Sequence, residues 1–413
     1  MGIDHQSQSP QTPVTHNWRR NLWVVWIGEV VALAGFDAAI PFLPYYIQEL
    51  GVVATTQVQL WTGLLTSAQS WSMSIMSPIW GSLADRVGRK VMLMRAMFSA
   101  GLLLAAMAFV TDVRQLLVLR IIQGGFSGTV AAAQSLVAAT VPFSERAFAL
   151  GAIQTATYVG ASLGPSIGGF VADSWGYRAC FIATGILLST AGLMVGILAQ
   201  EGRPGMGQRK RIPLAQGWRT VVTTSGVLPV LGIRFLMNAG LRMADPMLPL
   251  YVQALSTGDA RVASMTGLLN SARMIATAAG GLVIGRYADR LDVFRVTSVC
   301  LAAAAAGYLA SSMANGFAQL LGLASLSGVA IGGLAATLSS ALSRAVAEDK
   351  QGTVFGLQAS VQAAANGVAP IVGAVIASTL GLRSTFMAAS FCLALAFALS
   401  TRRRSAPASD TGT

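Results

Sequence analysis

Long apolar runs alternate with short polar or charged breaks along almost the whole chain. Runs near or above about 18 residues are typical of membrane-spanning helices, whereas outer-membrane barrels show short segments of alternating hydrophobicity. Breaking the chain at its polar clusters predicts an all-α membrane protein with twelve spans, at residues 22–48, 60–80, 91–110, 115–137, 148–172, 177–199, 221–252, 262–287, 294–314, 317–343, 353–378 and 383–400.

One long polar interruption, at residues 201–219, divides these spans into six and six. The sequence therefore predicts an N-terminal six-helix bundle at 18–199, a linker at 200–219 and a C-terminal six-helix bundle at 220–401. Polar tails remain at 1–17, which we expect to be disordered, and at 402–413.

The two halves repeat each other in sequence. Four ordered matches occur at offsets of 204 or 205 residues: PFLPYY (41–46) with PMLPLY (246–251), TGLLTSA (62–68) with TGLLNSA (266–272), GSLADR (81–86) with GRYADR (285–290), and GYRACF (176–181) with GLRSTF (381–386). An even number of spans in each half makes the repeats parallel. Parallel repeats are typical of transporters whose two halves move around a central site.

Composition and charge agree with a membrane protein. Hydrophobic residues make up 54% of the chain and charged residues 11%, against about 25% charged in soluble domains. Of the 28 lysines and arginines, 20 fall in segments predicted on the same side of the membrane as the N-terminus. Four lie in segments on the opposite side, and four lie within spans. This asymmetry predicts that both termini are cytoplasmic, and it explains the net charge of +12 without nucleic-acid binding.

The sequence offers no candidate for metal or nucleotide chemistry in the predicted spans, because the cysteines lack metal-ligand spacing and no histidine lies there. The three cysteines lie in apolar runs, and both histidines, His5 and His16, lie in the N-terminal tail. The sequence contains no G-x-x-x-x-G-K-[ST] loop and no H-E-x-x-H motif. We therefore expect no metal, no cofactor and no enzyme activity.

Several motifs resemble those of the major facilitator superfamily, specifically its 12-helix drug/proton antiporters. GSLADRVGRK (81–90) resembles the family signature, with a degenerate copy in GRYADRLD (285–292). RIIQGGFSG (120–128) resembles its R-x-x-Q-G motif, and GAIQTATYVGASLGPSIGG (151–169) resembles its antiporter motif. The resemblance implies a monomer in the lipid of the bacterial inner membrane, with two bundles around a central cavity. It also implies efflux of small amphipathic drugs, cationic or neutral, in exchange for protons.

Two sets of residues follow from these motifs. The resemblance implies a latch for the outward-facing state at Gly81, Asp85, Arg86, Gly88, Arg89, Lys90, Asp289 and Arg290. The antiporter motif supplies Gly151, Gly160, Gly164, Pro165, Gly168 and Gly169. Because Gly160, Gly164 and Gly168 recur every four residues, they share one face that a neighbouring helix can approach closely. We expect this face to seal the interface between the halves, with ordinary helix packing as the alternative.

Two carboxylates, Glu29 and Asp37, lie in the first span, where a charge costs a few kcal/mol and usually marks a functional route. They are about 12 Å apart along a helix, so both can border one cavity at different depths. Together with Pro41 they resemble the acid pair of multidrug/proton antiporters. We predict Asp37 as the proton carrier, tuned by Arg120, and Glu29 as an inner substrate contact. The alternative for Glu29 is an acid that reaches the inner interface.

The repeat pairs these acids with arginines in the other half. An offset of 205 maps Glu29 to Arg234 and Asp37 to Arg242. We hypothesise counter-charges across the cavity, although Asp245 offers Arg242 a local partner one helical turn away. Other predicted cavity residues, each also consistent with hydrogen bonds between helices, are Gln123, Gln154, Tyr158, Asn238, Asn270, Arg273, Gln358, Gln362 and Asn366.

Alternative functions differ in what they require of these residues. A dedicated proton-coupled exporter of an anionic or zwitterionic metabolite or siderophore would use Arg234, Arg242 and Arg273 for its substrate. A passive channel has no need of two repeated halves with an interface of glycines. A membrane enzyme lacks candidate motifs in the sequence.

Overall fold

The computed structural model describes residues 17–201, 227–256, 259, 261–288, 292–344 and 351–405. Most of the predicted linker, residues 1–16 of the N-terminal tail and residues 406–413 of the C-terminal tail therefore lie outside the described residues. So do residues 221–226, which the sequence assigns to the seventh span.

The described chain is helical throughout, with short connections. Its helices are α1 (Trp18–Ala39), α2 (Leu43–Glu49), α3 (Thr55–Val87), α4 (Arg89–Met107), α5 (Val113–Phe126), α6 (Thr129–Thr140), α7 (Arg146–Trp175), α8 (Tyr177–Leu198), α9 (Val227–Ala244), α10 (Leu248–Leu255), α11 (Val262–Ala288), α12 (Val293–Ser312), α13 (Phe317–Arg344), α14 (Gln351–Leu380) and α15 (Leu382–Ser405). Short 3₁₀ turns join α1 to α2 and α9 to α10, at Ile40–Phe42 and Asp245–Met247.

These helices form the twelve predicted spans, because three spans are each built from two helices. The first and seventh spans both break at a proline near the start of the 3₁₀ turn, Pro41 in one half and Pro246 in the other. The fourth span breaks between α5 and α6, where Gly128 has a φ of 123° that favours glycine. Its counterpart, α13, runs without a break. The sequence predicted the twelve spans but not the break in the fourth span.

Ten of the spans are long and apolar enough to cross a membrane by length and composition. The two others, α3 and α7, are long enough to cross a membrane but contain no stretch as apolar as those in the ten. Both lie where the two halves meet: α7 packs against α11, and α3 packs against α14. We call these contacts the α7–α11 seam and the α3–α14 seam. The interface between the halves is therefore lined by α3 and α7 from one half and by α11 and α14 from the other.

The repeated sequence stretches occupy equivalent positions in the two halves. Tyr46 donates a hydrogen bond to the carbonyl of Met107 at 2.8 Å, where α4 ends. Its counterpart Tyr251 donates to the carbonyl of Ser311 at 3.0 Å, where α12 ends. Near the same end of the bundle, Gln48 and Gln253 exchange two amide hydrogen bonds of 3.0 and 3.1 Å between the halves. We call this end, which carries the α2–α3 and α10–α11 connections, the distal end.

Small residues bring α7 close to its neighbours. A methyl group at Gly160 would lie 2.8 Å from the carbonyl oxygen of Val30, and one at Gly168 would overlap the backbone of Ala38. Gly164 likewise packs on Ala34. The glycine face predicted from the sequence therefore packs against α1 within the same half. Gly169, which is not on this face, is the motif glycine that contacts the other half.

We predict that Gly168→Ala lowers the thermal unfolding midpoint of the purified protein, whereas Gly151→Ala does not. The added methyl group at Gly168 forces α1 and α7 apart, and such overpacking costs about 1–3 kcal/mol. Gly151 lies on the same helix with open space around it, and alanine favours a helix by up to about 1 kcal/mol over glycine. Equal midpoints for the two variants in thermal melts would show that this close contact does not stabilise the fold.

Candidate functional site: the central cavity

A cavity of about 200 Å³ lies between the two halves. Its wall is formed by the end of α1 and the turn after it, by α3, α7 and α11, and by the end of α9 with the turn that follows. Most of the lining is apolar, but four charged side chains reach it: Asp37, Arg242, Asp245 and Arg273. The sequence predicted three of these as site residues and Asp245 as a local partner.

Asp37 lies in the last turn of α1, just before the break at Pro41. Arg242, in the last turn of α9, is the cationic side chain that interacts electrostatically with the Asp37 carboxylate. The two groups belong to different halves and both line the cavity. They form no direct ion pair within 4.0 Å. The structure thus brings together the two residues that the repeat pairs, and it leaves space between them.

Arg242 makes two polar contacts, one with α14 and one with the turn that follows its own helix. Its Nε donates a hydrogen bond of 3.0 Å to Oδ1 of Asn366 on α14. Its Nη1 lies 3.8 Å from Oδ2 of Asp245, and 45% of its side chain is exposed. Since neither contact encloses the guanidinium group, Arg242 remains accessible from the cavity.

Asp245 has a closer partner than the one that sequence spacing suggested. Its Oδ1 lies 2.5 Å from Nη1 of Arg273 on α11, and only 11% of the Arg273 side chain is exposed. Arg273 also donates to Oδ1 of Asn270 at 3.3 Å, and Tyr308 lies beside the pair. Asp245 and Arg273 therefore compensate each other's charge within the C-terminal half.

Glu29 and Arg120 lie away from the cavity wall, inside the N-terminal half. Glu29 is fully buried, and neither carboxylate oxygen has a close hydrogen-bond partner among the described residues. The side chain of Thr129, at the start of α6, is its polar neighbour. The structure therefore does not place Glu29 at the cavity as the substrate contact that the sequence suggested.

Arg120 is also buried, and its hydrogen bonds go to amide side chains. Nη1 donates to Gln123 at 2.8 Å, and Nη2 donates to Gln69 on α3 at 3.5 Å. The sequence singled out Gln123 but missed Gln69. The charged neighbour of Asp37 is Arg242, so the structure shows no contact through which Arg120 would tune Asp37.

The remaining predicted cavity residues have separate environments. Arg234 donates to Ser339 on α13 at 3.4 Å and lies near Tyr158, so it does not meet Glu29. Asn238 donates to a carbonyl of its own helix. Asn270 lines the cavity, while Gln154, Gln358 and Gln362 do not. No group of three potential metal ligands occurs among the described residues.

A sequence model of the Major Facilitator Superfamily matches residues 25–264 and 230–412. The chain belongs to this superfamily. It is a multi-pass membrane transporter and not an enzyme. Multidrug resistance protein MdtG of Klebsiella pneumoniae (strain 342) is 30% identical over 97% of this chain and 98% of its own length. MdtG of Escherichia coli (strain 55989 / EAEC) is 30% identical over 91% of this chain and 92% of its own.

The fold agrees with solved structures of the superfamily. The inward-facing, occupied crystal structure of a bacterial homologue of the human lysosomal transporter Spinster has a TM-score of 0.77 at 14% identity. The alignment covers 94% of this chain and 97% of that one. At this identity the likeness establishes the fold alone. The all-α fold predicted from the sequence, with two bundles around a central cavity, is therefore confirmed.

The superfamily signature loop connects α3 to α4. Gly88, with a φ of 108°, separates the two helices. The first backbone N–H groups of α4, from Arg89 and Lys90, each donate a 2.8 Å hydrogen bond to the carboxylate of Glu201. Glu201 was missed because the sequence placed it in the linker. Arg86 is exposed and Gly81 has open space around it, while the Asp85 side chain, Asp289 and Arg290 lie outside the described residues.

We predict that Asp245→Asn lowers the thermal unfolding midpoint, because it leaves the Arg273 guanidinium without its carboxylate. Breaking one partner of a buried ion pair costs on the order of 3–5 kcal/mol. Glu49→Gln is the matched control, since Glu49 pairs with Arg178 at 3.7 Å on the surface, where both side chains are about half exposed. Such exposed pairs contribute roughly 0–1 kcal/mol. A similar small change in both variants would argue against a stabilising pair at the cavity wall.

Proposed function

We propose that this protein exports small amphipathic drugs, cationic or neutral, in exchange for protons. The proposal rests on Asp37, a carboxylate that lines the cavity between the two halves and faces Arg242 of the opposite half. The names of the relatives, multidrug resistance proteins, support drugs as the substrates.

Exchange follows from competition for one carboxylate. Desolvation disfavours a charged carboxylate, whereas a nearby cation favours it. The proximity of Arg242 therefore decides how readily Asp37 gives up a proton, and a bound cationic drug acts in the same way. Because Asp37 is on α1 and Arg242 is on α9, rocking of the halves changes their separation. Proton release is thereby linked to the movement that carries the drug.

The rest of the cavity suits an amphipathic ligand. Its wall near Asp37 carries apolar side chains from both halves, including Ile40, Leu43 and Met274. Apolar walls with a few polar groups are typical of sites that bind small molecules. One chain forms the whole cavity, so a monomer is sufficient for transport.

Glu29 and Arg120 belong to the proposal as proton-coupling residues that do not touch the substrate in this conformation. A buried carboxylate and a buried guanidinium without charged partners are costly in a membrane protein and usually functional. The orientation is proposed from the positive charges: both termini are cytoplasmic in the bacterial inner membrane, and the distal end faces outwards.

The signature loop is proposed as the inner latch of the outward-facing state. Its backbone contact with Glu201 joins residues of one half, so it fixes the end of α8 to the start of α4. The latch contacts to the other half would come from Asp85, Asp289 and Arg290.

A transport assay tests the proton exchange. Proteoliposomes with an acidic lumen should take up ethidium through inside-out molecules, and Asp37→Asn should lower this gradient-driven uptake about tenfold or more, consistent with loss of a single essential group. Glu49→Gln, an acid of the same span away from the cavity, should transport like the wild type. Full gradient-driven uptake by Asp37→Asn would remove Asp37 as the proton carrier.

Arg242 supports a second candidate function, the export of an anionic or zwitterionic metabolite or siderophore. Its side chain is 45% exposed at the cavity and can donate to a carboxylate. If this function is correct, a carboxylate-bearing dye should be transported, ethidium should not, and Arg242→Gln should abolish transport of the dye. If the protein transports ethidium and the dye does not inhibit that transport, this second function is contradicted.

A further inference from the structure

Asp173, at the distal end of α7, caps a helix of the opposite half. Its Oδ1 accepts a hydrogen bond from the backbone N–H of Ala263 at 3.2 Å, and its Oδ2 accepts one from Ser264 at 2.7 Å. Both donors lie in the first turn of α11. The first N–H groups of a helix have no partner within the helix, and they form the positive end of its dipole. The carboxylate therefore satisfies two such groups across the α7–α11 seam.

The sequence around Asp173 makes this contact possible. Gly169 precedes Asp173 by four residues and so lies on the same face of α7. A methyl group at Gly169 would lie 2.5 Å from the carbonyl oxygen of Ala263, so only glycine allows α11 to start this close to α7. The last glycine of the antiporter motif thus positions the helix start that Asp173 caps.

Other contacts of the distal end surround this cap. Tyr45 donates a hydrogen bond of 2.6 Å to the carbonyl of Pro249 in the other half, and its hydroxyl lies 2.8 Å from that of Thr266. Phe42, Tyr45, Ala172, Cys180 and Ala263 form a small buried apolar cluster there. The hydrogen bonds of Tyr45, Gln48 and Asp173 join the halves at the distal end, and a further pair between Ser166 on α7 and Ser271 on α11 lies nearer the cavity.

The second seam has no such carboxylate at the equivalent position. An offset of 205 maps Asp173 to Ser378 on α14. The Ser378 hydroxyl donates to the carbonyl of Val375 in its own helix, at 2.9 Å. The repeat therefore does not account for the charged cap, because the α7–α11 seam has it and the equivalent position of the α3–α14 seam does not.

We propose that Asp173 is a positioning residue that keeps the distal end closed, and that its two hydrogen bonds must break whenever the cavity opens to that side. The inference rests on the proposed movement of the two halves. Hydrogen bonds to a charged acceptor are about twice as strong as neutral ones, so loss of the charge shifts the balance towards the open distal end. Asp173 touches neither the cavity nor the substrate, and it acts through the position of α11.

Cys180 provides a native reporter for this opening. It is buried in the distal cluster, and the other two cysteines, Cys300 and Cys392, can be replaced by alanine. In that background, Asp173→Asn should raise the rate at which a membrane-impermeant maleimide labels Cys180 by about tenfold. Asp173→Glu keeps the charge and should stay near the wild-type rate.

Asp112→Asn is the matched control for this measurement. Asp112 also caps a helix start at the distal end, accepting a 2.7 Å hydrogen bond from the N–H of Arg114, but it caps its own helix, α5. Its substitution should leave the labelling of Cys180 unchanged. An equal rise in both variants would show general loosening of the protein and would overturn the proposal.

A second readout avoids the effect of Asp173 on the reactivity of Cys180 itself. In a background without native cysteines, Gln48→Cys and Gln253→Cys can be joined by a short bifunctional thiol reagent across the distal end. Asp173→Asn should slow this cross-linking about tenfold, and Asp112→Asn should not. Unchanged labelling and unchanged cross-linking in Asp173→Asn would overturn the proposal.

Gly169→Ala covers the case in which Asp173→Asn does not fold. It displaces the start of α11 and should raise the labelling of Cys180 while Asp173 remains, and an unchanged labelling rate would overturn the proposal. Neither readout needs a substrate or a proton gradient. A failure of the proposed drug/proton exchange therefore leaves the result on Asp173 interpretable.

Discussion

Charge inside a membrane-spanning bundle is costly, and for two of the four cavity charges of this protein the opposite charge lies in the other half. Charged groups at membrane depth are costly and usually functional. Asp245 and Arg273 lie 2.5 Å apart within one half, so their compensation needs no contact with the other half. Asp37 and Arg242 come from different halves and face the same cavity. Their mutual compensation therefore exists only in certain arrangements of the halves.

Close packing makes such an arrangement well defined. Gly168 brings α7 against α1, so the helix that carries Asp37 is fixed to a helix of the interface. Gly169 then brings α7 against the start of α11, where Asp173 accepts its hydrogen bonds. The same helix thus connects the acid at the cavity with the closed distal end. A shift of α7 relative to α11 would alter both the cavity and the seam.

Much of the fold could be predicted from the sequence, because apolar runs, the repeat and glycine spacing are local signals. The repeat indicated that Asp37 and Arg242 occupy equivalent positions in the two halves, and both line the same cavity. The sequence did not show that Arg273 is the partner of Asp245, or that Asp173 caps α11. These partners are 28 and 90 residues apart, and packing between helices determines them. The burial of Glu29 was also not predicted, because the repeat sets its depth but not which neighbours cover it.

The most direct test of this account is gradient-driven ethidium uptake by the charge-exchanged protein, Asp37→Arg with Arg242→Asp. Each single change leaves two like charges facing each other, whereas the double change restores one acid and one base at the same positions. The account predicts that both single variants lose uptake and that the double variant recovers a measurable part of it. A double variant as inactive as the single variants, but equally well folded, would contradict the cross-cavity pairing of Asp37 and Arg242.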